Sequence, residues 1–279
     1  MRADRGRLRD RVRSLRGPND DEGRLRPDPA GASPVTDGRS PTLEQQSAFF
    51  HTFGALRVRG LFAPEIATIS EGFDEVFREH PAEVPDPRIS LHRVQNPEHG
   101  PPRRQIPATA EIKAGAAEGF IERNTKLAWL RDDPRVIDLA RALLGEESAY
   151  TGSVGNVFNS YIYWHSDYFR SNVPQGTKIK IAFYLDDLDA HSGALRVIPG
   201  TSHLGEFRDS IYDENRAAKP GDLEQVFGVA EDELPCWAIA STPGDVVVFN
   251  NTTLHANFNG GPNRRMFSLQ FSQVLPDEP

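Results

Sequence analysis

An alternating run of aromatic and β-branched residues, ending in two potential metal ligands, places the strongest constraint on how this chain folds. Residues 161–169 read Tyr-Ile-Tyr-Trp-His-Ser-Asp-Tyr-Phe, and alternation of this kind predicts a half-buried β-strand. His165 and Asp167 lie two residues apart, and side chains at such positions of an extended segment point to the same face. The imidazole and the carboxylate therefore converge on one point, as two ligands of one metal ion must.

A second histidine comes after another predicted strand. Residues 242–249 read Thr-Pro-Gly-Asp-Val-Val-Val-Phe, which indicates a turn leading into a strand, and His255 lies just past the strand end. Two imidazoles and one carboxylate on one side of a metal, with open positions opposite, form the facial triad of non-haem Fe(II) oxygenases. Because a His-X-Asp pair is common by chance, this prediction depends on its place at a strand end and on the residues after His255.

Two arginines, Arg264 and Arg265, come after a Gly/Pro/Asn-rich turn and open a further alternating strand. A guanidinium at such a position can hold a carboxylate through two parallel hydrogen bonds. An oxygenase that takes electrons from a 2-oxo acid needs a group of this kind for the far carboxylate of that acid. The sequence therefore contains an anchor for such a co-substrate.

Four motifs in order make the chain resemble the phytanoyl-CoA dioxygenase family of Fe(II)/2-oxoglutarate-dependent oxygenases, which includes ectoine hydroxylase. They are Tyr-Trp-His-Ser-Asp at 163–167, Ser-Gly-Ala-Leu-Arg-Val-Ile-Pro-Gly-Thr-Ser-His at 192–203, Pro-Gly-Asp-Val-Val-Val-Phe at 243–249, and His255 with Arg264 after it. The resemblance covers residues 42–274. With the many short strands and Gly/Pro turns, it implies a mainly β fold with flanking helices and a double-stranded β-helix (jelly-roll, cupin-like) core.

The resemblance also implies the chemistry. His165, Asp167 and His255 would bind Fe(II), leaving three positions for 2-oxoglutarate and O₂, and oxidative decarboxylation to succinate and CO₂ would drive oxidation of a substrate C–H bond. Related halogenases lack the carboxylate ligand and use its position for chloride. The presence of Asp167 therefore favours hydroxylation or another oxidation over halogenation.

The 2-oxoglutarate anchor is either Arg264 or Arg265. Family members place this arginine about eleven residues after the distal histidine, and both candidates here come earlier, so the turn is shorter. Alignment on the subsequent strand favours Arg264, with Arg265 on the opposite face.

Three further residues are candidates for binding the co-substrate. Residues 177–185 predict a strand on which alternation alone would leave the lysines in water, but alignment with the family turns Lys180 towards the site. There it would contact an anionic group of 2-oxoglutarate or of the substrate. Asn257, two residues after His255, and Asn156, ahead of the metal strand, are the other two candidates.

Capping and turn signals predict the flanking elements. Thr42 and Gln45 form a capping box that starts a helix, and two further helices are expected over residues 64–79 and 134–144. The Pro-rich stretch 81–110 is either disordered or a lid over the site.

Other polar residues near the motifs are not predicted to bind the metal. Asp186, Asp187 and Asp189 form an acidic turn that we expect to face solvent. His203 ends a family motif in which the histidine is not an iron ligand, so a structural role is expected.

Composition separates residues 1–40 from the rest. The net charge is −8, yet this segment has ten Arg against seven acidic residues, which predicts a disordered Arg-rich tail before a catalytic domain at 41–279. A nucleic-acid-binding arm is the alternative, but the net negative charge of residues 41–279 argues against contacts with phosphates. The chain has one cysteine, no long apolar run and no apolar segment of a secretory signal, so we expect a cytoplasmic protein with no membrane partner.

The substrate is predicted only as a small molecule. The chain uses 27 Arg and 5 Lys, typical of a GC-rich bacterial genome, and this favours specialised metabolism. Two alternatives remain open: a fatty acyl-CoA hydroxylase, and a metal-binding jelly-roll protein without redox turnover. A Zn or Mn site of the same geometry is also compatible with the ligands.

Overall fold

A computed structural model describes most of the chain after residue 40, namely residues 41–79, 115–158, 162–167, 178–203, 228–229, 233–257 and 264–274. The chain divides after Arg39, and every described residue belongs to the unit that begins at Ser40. The predicted tail at 1–40 and the predicted lid at 81–110 lie outside the described residues.

Local sequence signals set the ends of the helices, which are α1 (Leu43–Phe53), α2 (Ile66–Glu79), α3 (Thr125–Ala128) and α4 (Pro134–Leu144). The backbone N–H of Gln45 donates to Thr42 Oγ1 at 3.2 Å, which completes the predicted capping box. Gly54 ends α1 in the left-handed conformation. Asp133 caps α4 ahead of Pro134, and the three predicted long helices are confirmed within two residues.

Ten strands form two antiparallel sheets in the described part of the chain. They are β1 (Ala55–Val58), β2 (Gly115–Glu118), β3 (Ser148–Phe158), β4 (Ile162–His165), β5 (Lys178–Tyr184), β6 (Leu195–Val197), β7 (Trp237–Ile239), β8 (Val246–Asn250), β9 (His255–Asn257) and β10 (Arg264–Gln273). The larger sheet has the order β1-β8-β5-β10-β3-β2, and the smaller has the order β4-β9-β6-β7. Strands distant in sequence lie side by side in both sheets, as in a jelly roll, which confirms the predicted fold class.

The larger sheet buries side chains on both faces. Its outer face packs against the helices and includes Phe183 and Phe267, whose rings stack with centroids 4.5 Å apart. Its inner face carries Ala182 and Tyr184, which share a buried cluster with Leu195 of the smaller sheet. The space between the sheets is therefore where polar side chains of a site become enclosed.

Four strands were not expected from the sequence. β2, β3 and β7 cover residues for which no strand was predicted, and β9 begins at His255 itself. Among the helices that the structure describes, none has both the length and the apolar character needed to cross a bilayer.

Gly155 in β3 makes room for an aromatic ring. A Cβ atom at this position would lie 2.2 Å from Cδ2 of Phe120, a side chain with no exposed surface. The Phe120 ring also contacts Phe73 and Phe267, with centroid distances of 5.2 and 5.6 Å. Because the ring is held on several sides, it cannot move away from a larger residue at 155.

We expect Gly155→Ala to lower the free energy of unfolding by about 1–3 kcal/mol, the usual loss from overpacking a core. Urea denaturation followed by circular dichroism measures it. Combining the change with Phe120→Leu provides the control, since the smaller side chain vacates the space and the loss in the double variant is then smaller than the sum of the two single losses. Strict additivity would show that the Gly155–Phe120 contact does not limit the packing.

Candidate metal and co-substrate site

Two histidines face each other across a pair of short strands. His165 ends β4, His255 begins β9, and the two residues are direct partners in the antiparallel pairing. Their ring centroids lie 4.2 Å apart at an interplanar angle of 50°. The backbone pairing therefore sets the distance between the two imidazoles before any side-chain contact is considered.

Asp167 is held beside the histidines by the end of β8. Its backbone N–H donates to the carbonyl of Asn251 at 2.9 Å, and the Ser166 hydroxyl donates to the same carbonyl at 3.1 Å. These bonds fix the chain just past β4 and turn the Asp167 carboxylate towards both imidazoles. The carboxylate lies 3.9 Å from His165 Nε2 and 3.7 Å from His255 Nε2.

The three side chains together form a metal-binding constellation. One ligand atom from each of His165, Asp167 and His255 lies within 4.8 Å of the others. Two imidazoles and one carboxylate suit Fe(II) and leave positions open for other ligands. The structure thus brings together all three residues that the sequence nominated as ligands.

His255 is prepared to act as a neutral ligand. Its Nδ1 lies 2.8 Å from the carbonyl oxygen of Thr253, and because a carbonyl only accepts, Nδ1 carries the proton and Nε2 presents its lone pair to the site. Burial lowers the pKa of His255 to about 3, with a further contribution from the nearby His165. The neutral imidazole, which is the metal-binding form, therefore prevails at neutral pH.

Asp167 has an oxygen oriented for a further positive partner. Lys180 Nζ lies 2.8 Å from its buried Oδ2 and forms an ion pair with this oxygen. Burial alone would raise the pKa of Asp167, but its interactions with His255, Lys180 and His165 outweigh burial and hold the pKa well below its usual range. An ionised carboxylate beside two imidazoles fits a metal ion.

Arg264 is enclosed between the sheets. Only 4 % of its surface is exposed, and its Nη1 donates to Asn257 Oδ1 at 2.8 Å and to the backbone carbonyl of Gly193. Its guanidinium carbon lies 5.6 Å from the centre of the Tyr184 ring. Burial lowers the pKa of Arg264, but an arginine remains charged in any protein environment. The site therefore contains an enclosed cation that Asn257 and the Gly193 carbonyl help to hold in place.

Arg265 lies on the opposite face of β10. Its guanidinium contacts Asp186 at 3.0 Å and Asp74 at 3.1 Å, and its backbone N–H donates to Asp186 Oδ2 at 2.8 Å. Asp186 is thus half-buried and paired, which corrects the expectation that it simply faces solvent. These contacts hold the Arg265 guanidinium outside the jelly roll, away from the space between the sheets in which Arg264 lies.

Lys180 and Asn156 both belong to the inner face of the larger sheet. Lys180 is opposite Phe249 in the pairing of β5 with β8, while Asn156 is opposite Met266, which is itself opposite Tyr184. Directly opposed residues in a sheet share a face. The alternation argument that left Lys180 in water is wrong, because its side chain is only 24 % exposed and contacts Asp167.

The remaining polar candidates lie apart from the three ligands. His203 Nε2 contacts the carbonyl of His51 at the end of α1, in agreement with a structural role. Asp187 and Asp189 are exposed, as expected. Sequence reasoning missed Thr253 and Asn251, because both act through backbone carbonyls, which leave no signal in residue type.

The family match decides the class of protein. The family described as Phytanoyl-CoA dioxygenase (PhyH) matches residues 50–266, which is most of the chain. The chain belongs to this family. It is therefore a 2-oxoglutarate-dependent dioxygenase that uses Fe(II), as the resemblance of its motifs implied. Among curated proteins, none matches the chain.

Solved structures share the fold. EvdMO1 aligns with a TM-score of 0.57 and 19% identity over 84% of this chain and 50% of its own, so the present chain spans half the length of EvdMO1. The epimerase SnoN from nogalamycin biosynthesis, in complex with Fe³⁺, α-ketoglutarate and nogalamycin RO, aligns with a TM-score of 0.58 and 18% identity over 83% of each chain. EctD from S. alaskensis, with 2-oxoglutarate and 5-hydroxyectoine, aligns with a TM-score of 0.54 and 22% identity over 88% of this chain and 81% of its own.

The two acids that hold Arg265 should contribute unequally to stability. Asp186→Ala leaves a half-buried guanidinium and a backbone N–H without their acceptor, so we expect a loss of about 1–3 kcal/mol. Asp74 is more than half exposed, and Asp74→Ala should change stability by less than about 1 kcal/mol. Urea denaturation of both variants tests this order, and equal losses would contradict it.

Proposed function

We propose that His165, Asp167 and His255 hold Fe(II) in this chain and that Arg264 binds the far carboxylate of 2-oxoglutarate. The convergence of one ligand atom from each of the three residues within 4.8 Å carries this proposal. The two histidines come from directly paired strand ends, and the enclosed Arg264 supports a binding site for an anion between the sheets. The engagement of Arg265 with Asp186 and Asp74 argues against Arg265 as the anchor.

Each residue has a defined task. Fe(II) with 2-oxoglutarate and O₂ supplies the oxidising power, with release of succinate and CO₂. Asp167 contributes the negative charge of the ligand set, and the Thr253 carbonyl keeps the His255 lone pair directed inwards. Asn257 orients Arg264 through its amide oxygen. Asn156 and Lys180 lie on the same inner face and complete the candidate contacts to the co-substrate.

The substrate class rests on the enclosed site and the fold. We assign the chain to hydroxylation, or another C–H oxidation, of a small molecule in bacterial specialised metabolism. SnoN acts as an epimerase in nogalamycin biosynthesis, and EctD binds 5-hydroxyectoine, so this fold supports more than one outcome. We place the activity in residues 41–279, in the cytoplasm, and independent of nucleic acid.

An anaerobic titration with Fe(II) and then 2-oxoglutarate tests the proposal. We expect a visible charge-transfer band in the wild type and a weaker band in Asp167→Ala, which lacks the anionic ligand. In Arg264→Ala the Kd for 2-oxoglutarate should rise about 30-fold or more, as when one partner of a buried charge pair is removed.

Arg265→Ala is the matched control, since it removes the neighbouring guanidinium from the other face of β10. Its band and Kd should equal those of the wild type. An unchanged Kd in Arg264→Ala together with a raised Kd in Arg265→Ala would mean that Arg265, and not Arg264, binds 2-oxoglutarate. Metal binding without any band in the wild type would favour the metal-binding protein without redox turnover.

A further inference from the structure

Lys180 brings an ammonium group into contact with the carboxylate of the predicted ligand set. Its Nζ lies 2.8 Å from Asp167 Oδ2, the same oxygen that lies 3.7 Å from His255 Nε2. The ammonium also lies 5.9 Å from the centre of the Phe249 ring, which packs against His255 at 4.8 Å. Lys180 is therefore part of the wall around the ligands and not a surface lysine that happens to bend inwards.

A cation at this place has a consequence for metal binding. Asp167 is the only anionic residue of the predicted ligand set, and in this structure Lys180 already neutralises it. A divalent metal held by the three ligands shares that carboxylate with the ammonium, and like charges at such short range repel strongly in a partly enclosed site. Lys180 taken alone therefore weakens metal binding.

An anionic co-substrate would reverse the effect of Lys180 on metal binding. 2-Oxoglutarate carries two carboxylates, and two cations of the inner face, Arg264 and Lys180, differ in position. Arg264 donates to Asn257 and Gly193, whereas Lys180 adjoins the metal ligands themselves. With the far carboxylate at Arg264, as proposed above, the keto-acid end would lie towards the metal ligands, where Lys180 is.

We propose that Lys180 couples the two binding events: it lowers the affinity for Fe(II) when 2-oxoglutarate is absent and raises it when 2-oxoglutarate supplies a carboxylate to the ammonium. The inference depends on the proposed function and adds its regulation. Coupling between sites is reciprocal, so the metal strengthens 2-oxoglutarate binding by the same factor. The metal is then retained chiefly when the co-substrate is present.

Calorimetry with Co(II), which does not turn over, tests the coupling without relying on activity. The Kd for Co(II) is measured in the absence and in the presence of saturating 2-oxoglutarate. We expect 2-oxoglutarate to tighten Co(II) binding to the wild type about tenfold, within the usual range of coupling between sites. In Lys180→Met, Co(II) alone should bind several-fold more tightly than to the wild type, and 2-oxoglutarate should tighten Co(II) binding by a clearly smaller factor, because only its direct coordination of the metal would remain.

Lys178→Met is the matched control. It removes the same charge from the same face of β5, two residues from Lys180, and should reproduce the wild-type values. Lys180→Arg keeps the charge and should retain most of the coupling.

Two outcomes would overturn the inference: weaker binding of Co(II) alone to Lys180→Met, which would make Lys180 a support for Asp167, or full coupling in that variant. Failure of the proposed function gives a different result, namely Co(II) and 2-oxoglutarate binding in the wild type that Asp167→Ala and Arg264→Ala leave unchanged.

Discussion

The antiparallel pairing of β4 with β9 is the constraint on which the site depends. It places His165 directly opposite His255, and a slip of one residue would turn one imidazole to the other face. The carbonyl of Asn251 then holds the chain just past β4, so that Asp167 completes the set. Backbone hydrogen bonds thus set the relative positions of the three residues, and their side chains come together over short distances.

Much of this arrangement could be predicted from sequence because its signals are local. The capping box at Thr42 and the Asp133–Pro134 start of α4 depend on contacts within one helical turn. The three predicted ligands could be proposed from sequence because a strand that alternates, its end and a later arginine come in the order typical of the family. Arg264 and Arg265 could be told apart because adjacent residues of a strand face opposite ways.

Other features could not be predicted, for physical reasons. β3 contains Gly152 and Gly155, which interrupt alternation, and the need for glycine at 155 arises from Phe120, which is distant in sequence. β9 has three residues, too few for a pattern. Lys180 was ambiguous because a polar strand face that meets a charged site has the same composition as one that meets water. Only the partner strands reveal which of the two it is.

The anchoring of Asp167 to β8 has an evolutionary consequence. All three ligands are positioned by strands and by main-chain bonds between strand ends, and these tolerate most side-chain substitutions because a carbonyl is present whatever the residue. Many side chains around these main-chain bonds can therefore change during evolution while the three predicted ligands keep their relative positions.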